Sequence, residues 1–168
     1  MISLPQDFDL NEWAVIGFLL LTAWIAWRLP KRFPLSLTIP LLLFSLATAR
    51  TFDHLLAGPF LHDLYDIMDW NKLDAGDLMT YAMYTPTAYI FVYFYDRWAV
   101  KGLWVPAYIL GWSLLSAGIE WLLHLANVFQ YKEWEIGYSF AVYIFVQPLT
   151  LWLFHVLQNE KRVSSTTS

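Results

Sequence analysis

Five long, mainly apolar runs dominate the chain, at about 11–28, 34–57, 77–95, 103–127 and 136–157. The hydrocarbon core of a bilayer takes roughly 20 mainly apolar residues per helix, and inside it every backbone N–H and C=O must bond within its own segment. Runs of this length predict an all-α, polytopic integral membrane protein with five transmembrane helices. Composition points the same way, because 58% of the 168 residues are hydrophobic and only 14% are charged, unlike a soluble domain. Aromatic rings gather near the proposed span ends, among them Trp13, Trp27, Tyr95, Trp98, Trp104, Tyr131 and Trp134, as an interfacial belt does.

Basic residues set the orientation. Arg28, Lys31 and Arg32 follow the first span, Arg97 and Lys101 the third, and Lys161 and Arg162 the fifth, so seven of the ten Lys and Arg fall on one side. The positive-inside rule makes that side cytoplasmic, with the N-terminus outside and the C-terminus inside. Of the fourteen carboxylates only Asp96 and Glu160 fall there, which leaves the outer face acidic. The basic clusters fit orientation and anionic lipid, so the bilayer is the expected partner and no nucleic acid is implied.

The first run is preceded by Asp7 and Asp9 rather than a basic stretch, so it reads as a retained helix and not a signal peptide. The chain has no cysteine, which removes disulfides, thiolate ligands and thiol nucleophiles. No polar segment is long enough to fold separately. Residues 1–162 therefore read as one transmembrane domain and 163–168, ending Ser-Ser-Thr-Thr-Ser, as a disordered tail. No internal repeat is evident, and an inverted second half would have to come from a dimer.

Polar residues at helical spacing mark candidate inward faces. Ser113, Ser116, Ala117, Glu120 and His124 form one stripe on the fourth span, and Ser139, Tyr143, Gln147 and Thr150 form another on the fifth. Tyr81, Thr85 and Tyr89 stand four apart on the third, with Pro86 predicting a kink. The first span offers little beyond Gly17 and Thr22 and is expected to be a peripheral helix. Such stripes commonly serve helix packing, at about 0.6 kcal/mol per interhelical hydrogen bond.

Intramembrane charges demand more explanation, since each costs about 2.5 kcal/mol or more at a span centre. Arg50, Asp53 and His54 approach one side of the second helix, and Glu120 and His124 share a face of the fourth. The second and fourth spans both run from inside to outside, which places both groups in the outer half of the membrane, so an outward-facing polar site is expected, lined by Arg50, Asp53, His54, Glu120 and His124 and supported by Tyr81, Tyr143 and Gln147. Three readings stay open. Arg50 pairs with Glu120 or Asp53, or His124 with Asp53, as a buried ion pair fixing register. Alternatively Asp53, His54, Glu120 and His124 hold a divalent metal such as Zn²⁺, Fe²⁺ or Mn²⁺, although no known ligand spacing is present. Or Glu120 and His124 handle protons as an ion or solute crosses, which in so small a chain requires a homo-oligomer.

The outer segment adds His62, Asp63, Asp66, Asp69, Asp74 and Asp77. It reads as a solvated acidic loop, with His62, Asp66 and Asp69 on one face if it is helical; it lacks the closing Glu of an EF-hand. Nucleophile elbows, phosphate-binding Gly-rich loops and the zincin motif are absent, so enzyme status is left open.

The order Glu120-Trp121, Tyr131-Lys132-Glu133-Trp134, Tyr138-Ser139-Phe140 and Tyr143 resembles that of a family of small uncharacterised five-helix membrane proteins from spore-forming Gram-positive bacteria. That family is similar in length, and carries an intramembrane Glu, a Tyr/Trp loop and a Ser-bearing last helix. The resemblance covers about the last third of the chain. It implies a bacterial plasma membrane and brings no activity with it. The expected function is a non-enzymatic binding, sensing or complex-assembly role, with another membrane protein as a candidate partner; the alternatives are a metal-dependent membrane enzyme and a proton-coupled transporter or ion pathway formed by an oligomer.

Overall fold

The computed structural model describes residues 9–57, 62–68 and 75–166, with side chains over 9–57, 62–68 and 79–160. Five helices carry most of it: α1 (Leu10–Arg28), α2 (Leu35–Leu56), α3 (Ala75–Arg97), α4 (Trp104–Leu125) and α5 (Ile136–Thr166). Two short strands interrupt the connections at one end, β1 (Tyr65–Ile67) between α2 and α3 and β2 (Phe129–Tyr131) between α4 and α5. Among the described residues three helical stretches are long and apolar enough to cross a membrane: α1, α2 and Ile136–Glu160 of α5.

Local chemistry sets several of these boundaries. The Glu12 carboxylate accepts the Asp9 N–H at 2.8 Å, which satisfies a donor at the start of α1. Pro34 stands immediately before α2, where its fixed φ suits entry into a helix. Helix α4 ends with Asn127 at φ +60°, one of the few non-glycine residues that tolerate the left-handed region. The Val128 N–H then reaches back to Leu123 O and the Asn127 N–H to His124 O, both at 3.0 Å, which closes the helix and turns the chain toward β2.

Helix α3 packs against both α1 and α2, α4 packs against α5, and α2 meets α5. Helix α3 also meets α5, and α1 meets α4. Ile90, Phe91, Val92 and Tyr93 are buried in succession, and four consecutive helical positions cover every side of the helix. Protein therefore surrounds α3 at this level. The other four helices show broad outward apolar faces instead, exemplified by Leu20, Leu43, Leu114 and Phe145, each more than half exposed. Two apolar clusters fill the interior, one beneath the sheet around Val15, Met83, Leu123 and Phe129, the other at the far end around Leu37, Leu41, Phe91 and Phe154.

The strands pair antiparallel in the register Tyr65 with Tyr131, Asp66 with Gln130 and Ile67 with Phe129. Met68 N–H to Val128 O at 2.8 Å extends the pairing, and Leu64 O accepts the N–H groups of Lys132, Glu133 and Trp134. The Lys132 ammonium bridges the two connections through Asp63 at 2.7 Å and Asp66 at 2.9 Å.

Three expectations change. The outer segment is strand over 65–67, so His62 and Asp66 do not share a helical face, while Asp69 and Asp74 lie outside the described residues. Helix α1 exposes many side chains but also packs along α3, burying Asn11, Glu12, Val15 and Thr22. Helix α5 continues to Thr166, into the stretch read as tail.

Candidate functional site

Tyr65 and Tyr131 are directly opposed in the sheet, and opposed residues of an antiparallel pair point to the same face. Here that face is the inner one. The Tyr65 hydroxyl donates to Asp53 Oδ1 of α2 at 2.6 Å, and the Tyr131 hydroxyl donates to Glu120 Oε1 of α4 at 2.8 Å. One rung of the sheet thus holds two carboxylates from two different helices.

Glu120 receives two more hydroxyls, both from α5. Tyr143 donates to Oε2 at 2.6 Å, and Ser139 makes a very short contact with Oε1. Ser139 in turn accepts the Trp134 indole N–H at 2.7 Å. Ser139 and Tyr143 are four residues apart, one turn of α5, which is why both reach the same carboxylate. An ionised carboxylate is an acceptor with about four lone-pair sites, so three hydroxyl donors suit it closely. Lower down, Ser113 Oγ and the Gln147 carboxamide meet at 3.1 Å. The polar stripes of α4 and α5 therefore face each other over about two turns.

Both sheet tyrosines stay protonated. Burial first, and then the negative Asp53, push the Tyr65 hydroxyl far above its ordinary range. Burial and then Glu120 push Tyr131 upward in the same direction. Each remains a donor at every physiological pH.

A cavity of about 110 Å³ lies beneath the sheet, lined mainly by α2 and α5 and reached by Tyr84 of α3 and Glu120 of α4. Asp53 and Glu120 both line it, and six aromatic rings help to wall it: Phe52, Tyr65, Tyr84, Phe129, Trp134 and Tyr143. No Lys, Arg or His is among its described lining residues. A second cavity of about 130 Å³, reaching Phe18 of α1 and Leu115 of α4, shares Glu120, Tyr84 and Tyr143 with the first.

Of the residues expected at the site, Asp53, Glu120 and Tyr143 come together here. Gln147 lines the second cavity only. Arg50 stands elsewhere: its guanidinium lies 5.3 Å over the Tyr81 ring and its Nη1 is 3.4 Å from the Tyr81 hydroxyl. Among the described residues Glu120 forms no ion pair, whereas Arg32 pairs with Asp96 and Lys132 with Asp63 and Asp66. His54, one position past Asp53, is exposed and outside the lining. His124 directs Nδ1 at Phe129 O, 2.6 Å away, and stacks on Tyr131 at 4.1 Å. Because a carbonyl only accepts, Nδ1 carries the proton, and the histidine orients the β2 tyrosine rather than pairing with Asp53.

A metal centre built on Asp53, His54, Glu120 and His124 does not assemble: no three His, Asp or Glu side chains converge as a ligand group among the described residues. The i, i+4 stripes found Ser139 and Tyr143. They missed Tyr65, Tyr84 and Tyr131, which reach the site through a strand pairing and a helix face that no local spacing encodes. No protein-family model, curated protein or solved structure matches the chain.

Proposed function

We propose that the chain is a plasma-membrane protein with five spans, its N-terminus outside and its C-terminus inside, that binds a small ligand beneath the two-stranded cap and acts without catalysing a reaction. The observation that carries the reading is the cavity bordered by Asp53 and Glu120 and closed by the tyrosines that hold them. Carboxylates held in place by fixed hydroxyls suit a preformed pocket with a few fixed polar contacts in a largely apolar wall.

Packing as well as length supports five spans. At about 1.5 Å per residue, α3 and α4 each extend more than 30 Å, enough to cross the hydrocarbon layer. Helix α3 tolerates its tyrosines and threonines because neighbouring helices surround it, and α4 presents Leu114, Leu122 and Leu125 outward. The basic connections after α1 and α3 support the orientation, and the family resemblance is what favours a bacterial membrane.

The absence of cysteine makes the topology directly testable. In intact cells a membrane-impermeant maleimide should label Glu133→Cys at once and Lys101→Cys only after permeabilisation. The reverse pattern overturns the orientation, and labelling of both from the same side overturns the crossing by α4. For binding, native mass spectrometry of gently extracted protein should show a retained small molecule that is lost in Val142→Trp, which fills the cavity. A wild-type spectrum without an adduct counts against a ligand-binding role.

A further inference from the structure

We infer that the ligand of this cavity is an organic cation carrying a quaternary ammonium group, a deduction that rests on the binding role proposed above. Three features of the cavity converge on this chemistry. The first is its charge. Two carboxylates on different helices border one partly open space, and no basic side chain is among its described lining residues. Within a low-dielectric interior, negative potential of this kind draws a positive ligand.

The second is the walls. Phe52, Tyr65, Tyr84, Phe129, Trp134 and Tyr143 surround the space, and ring faces attract a cation within about 6 Å through their quadrupole. Aromatic rings without nearby acids would suit any apolar molecule. Acids without rings would suit a metal or a small ammonium ion. The combination selects a cation with a large, weakly hydrated surface.

The third feature separates quaternary from primary ammonium. Glu120 already accepts from Tyr131, Ser139 and Tyr143, and Asp53 Oδ1 accepts from Tyr65. Three of the four carboxylate oxygens thus already accept hydroxyls, which compete with the N–H donors of a primary ammonium. The hydroxyls leave the negative charge in place. A trimethylammonium group has no N–H to donate, requires no lone pair, and interacts through charge and ring faces alone.

The test uses the whole protein in a non-ionic detergent and follows thermal unfolding with three additives at matched ionic strength: choline chloride, potassium chloride and, as a neutral comparison, 3,3-dimethylbutanol, in which carbon replaces the nitrogen of choline. Choline at saturating concentration should raise the midpoint by about 5 °C, with little effect from the other two. Asp53→Asn and Glu120→Gln should each weaken the apparent affinity tenfold or more. Phe52→Leu, which leaves both acids in place, should weaken it several-fold and serves if either acid variant fails to fold.

Equal shifts with choline and dimethylbutanol would overturn the cationic assignment while leaving a binding cavity. Equal shifts with choline and potassium would reduce the effect to salt and overturn it too. So would a choline effect unchanged in the variants. A missing choline effect beside a retained native adduct would overturn the ligand class alone; if the adduct is also missing, the binding role falls with it.

Discussion

Replacing Tyr143 by Phe removes a single hydroxyl from the centre of the site and leaves the ring in place. That hydroxyl lies 2.6 Å from Glu120 Oε2, between α5 and α4. Hydrogen bonds onto charged groups contribute about 1.5–3 kcal/mol in soluble proteins, whereas side-chain bonds between membrane helices average about 0.6 and reach about 1.7 kcal/mol. A short bond onto a partly buried carboxylate belongs near the upper end of the membrane range, so Tyr143→Phe should destabilise by about 1.5 kcal/mol. In a Glu120→Gln background the acceptor is neutral, and the same change should cost about 0.5 kcal/mol, giving a coupling of about 1 kcal/mol. Unfolding of the four proteins by sodium dodecyl sulfate in mixed micelles measures all these terms. A loss that is the same in both backgrounds would refute the reasoning, because Tyr143 would then act through ring packing and not through the carboxylate.

Stability should fall at alkaline pH because of Tyr65 and Tyr131. Their folded-state hydroxyls are held above the ordinary value of about 10, so their contribution is complete below that pH and is lost as the unfolded chain ionises above it. Unfolding midpoints measured from pH 9 to 12 should drop less steeply in Tyr65→Phe than in wild type, and parallel curves would count against the assignment. His54→Ala should change stability by less than about 0.5 kcal/mol, since the side chain is exposed. Asp53→Ala should cost about 1–3 kcal/mol by leaving the buried Tyr65 hydroxyl without its acceptor; equal effects from the two variants would place the functional face of α2 wrongly.

The candidate site was legible where one helix supplied consecutive turns. Glu120 stood out because a carboxylate inside a long apolar run needs partners, and Ser139 and Tyr143 stood out because four-residue spacing aligns them. The same reasoning grouped Arg50, Asp53 and His54, yet they diverge: Asp53 enters the cavity, Arg50 turns to Tyr81, and His54 is exposed. Residues at i, i+3 and i+4 span a wide arc, and the width of a neighbouring helix decides which of them it covers.

Sequence alone determined the helical class, because apolar length and the need to satisfy backbone groups in lipid leave few other folds. It also determined the charge asymmetry of the two ends and the presence of a carboxylate within an apolar helix. Only the tertiary structure decided which groups satisfy that carboxylate. Tyr65 and Tyr131 are sixty-six positions apart, and they become neighbours because two loops, unremarkable in composition, pair as strands over the bundle. Strand pairing depends on where the helices bring the loop ends, a long-range property that the local periodicity of either loop does not contain.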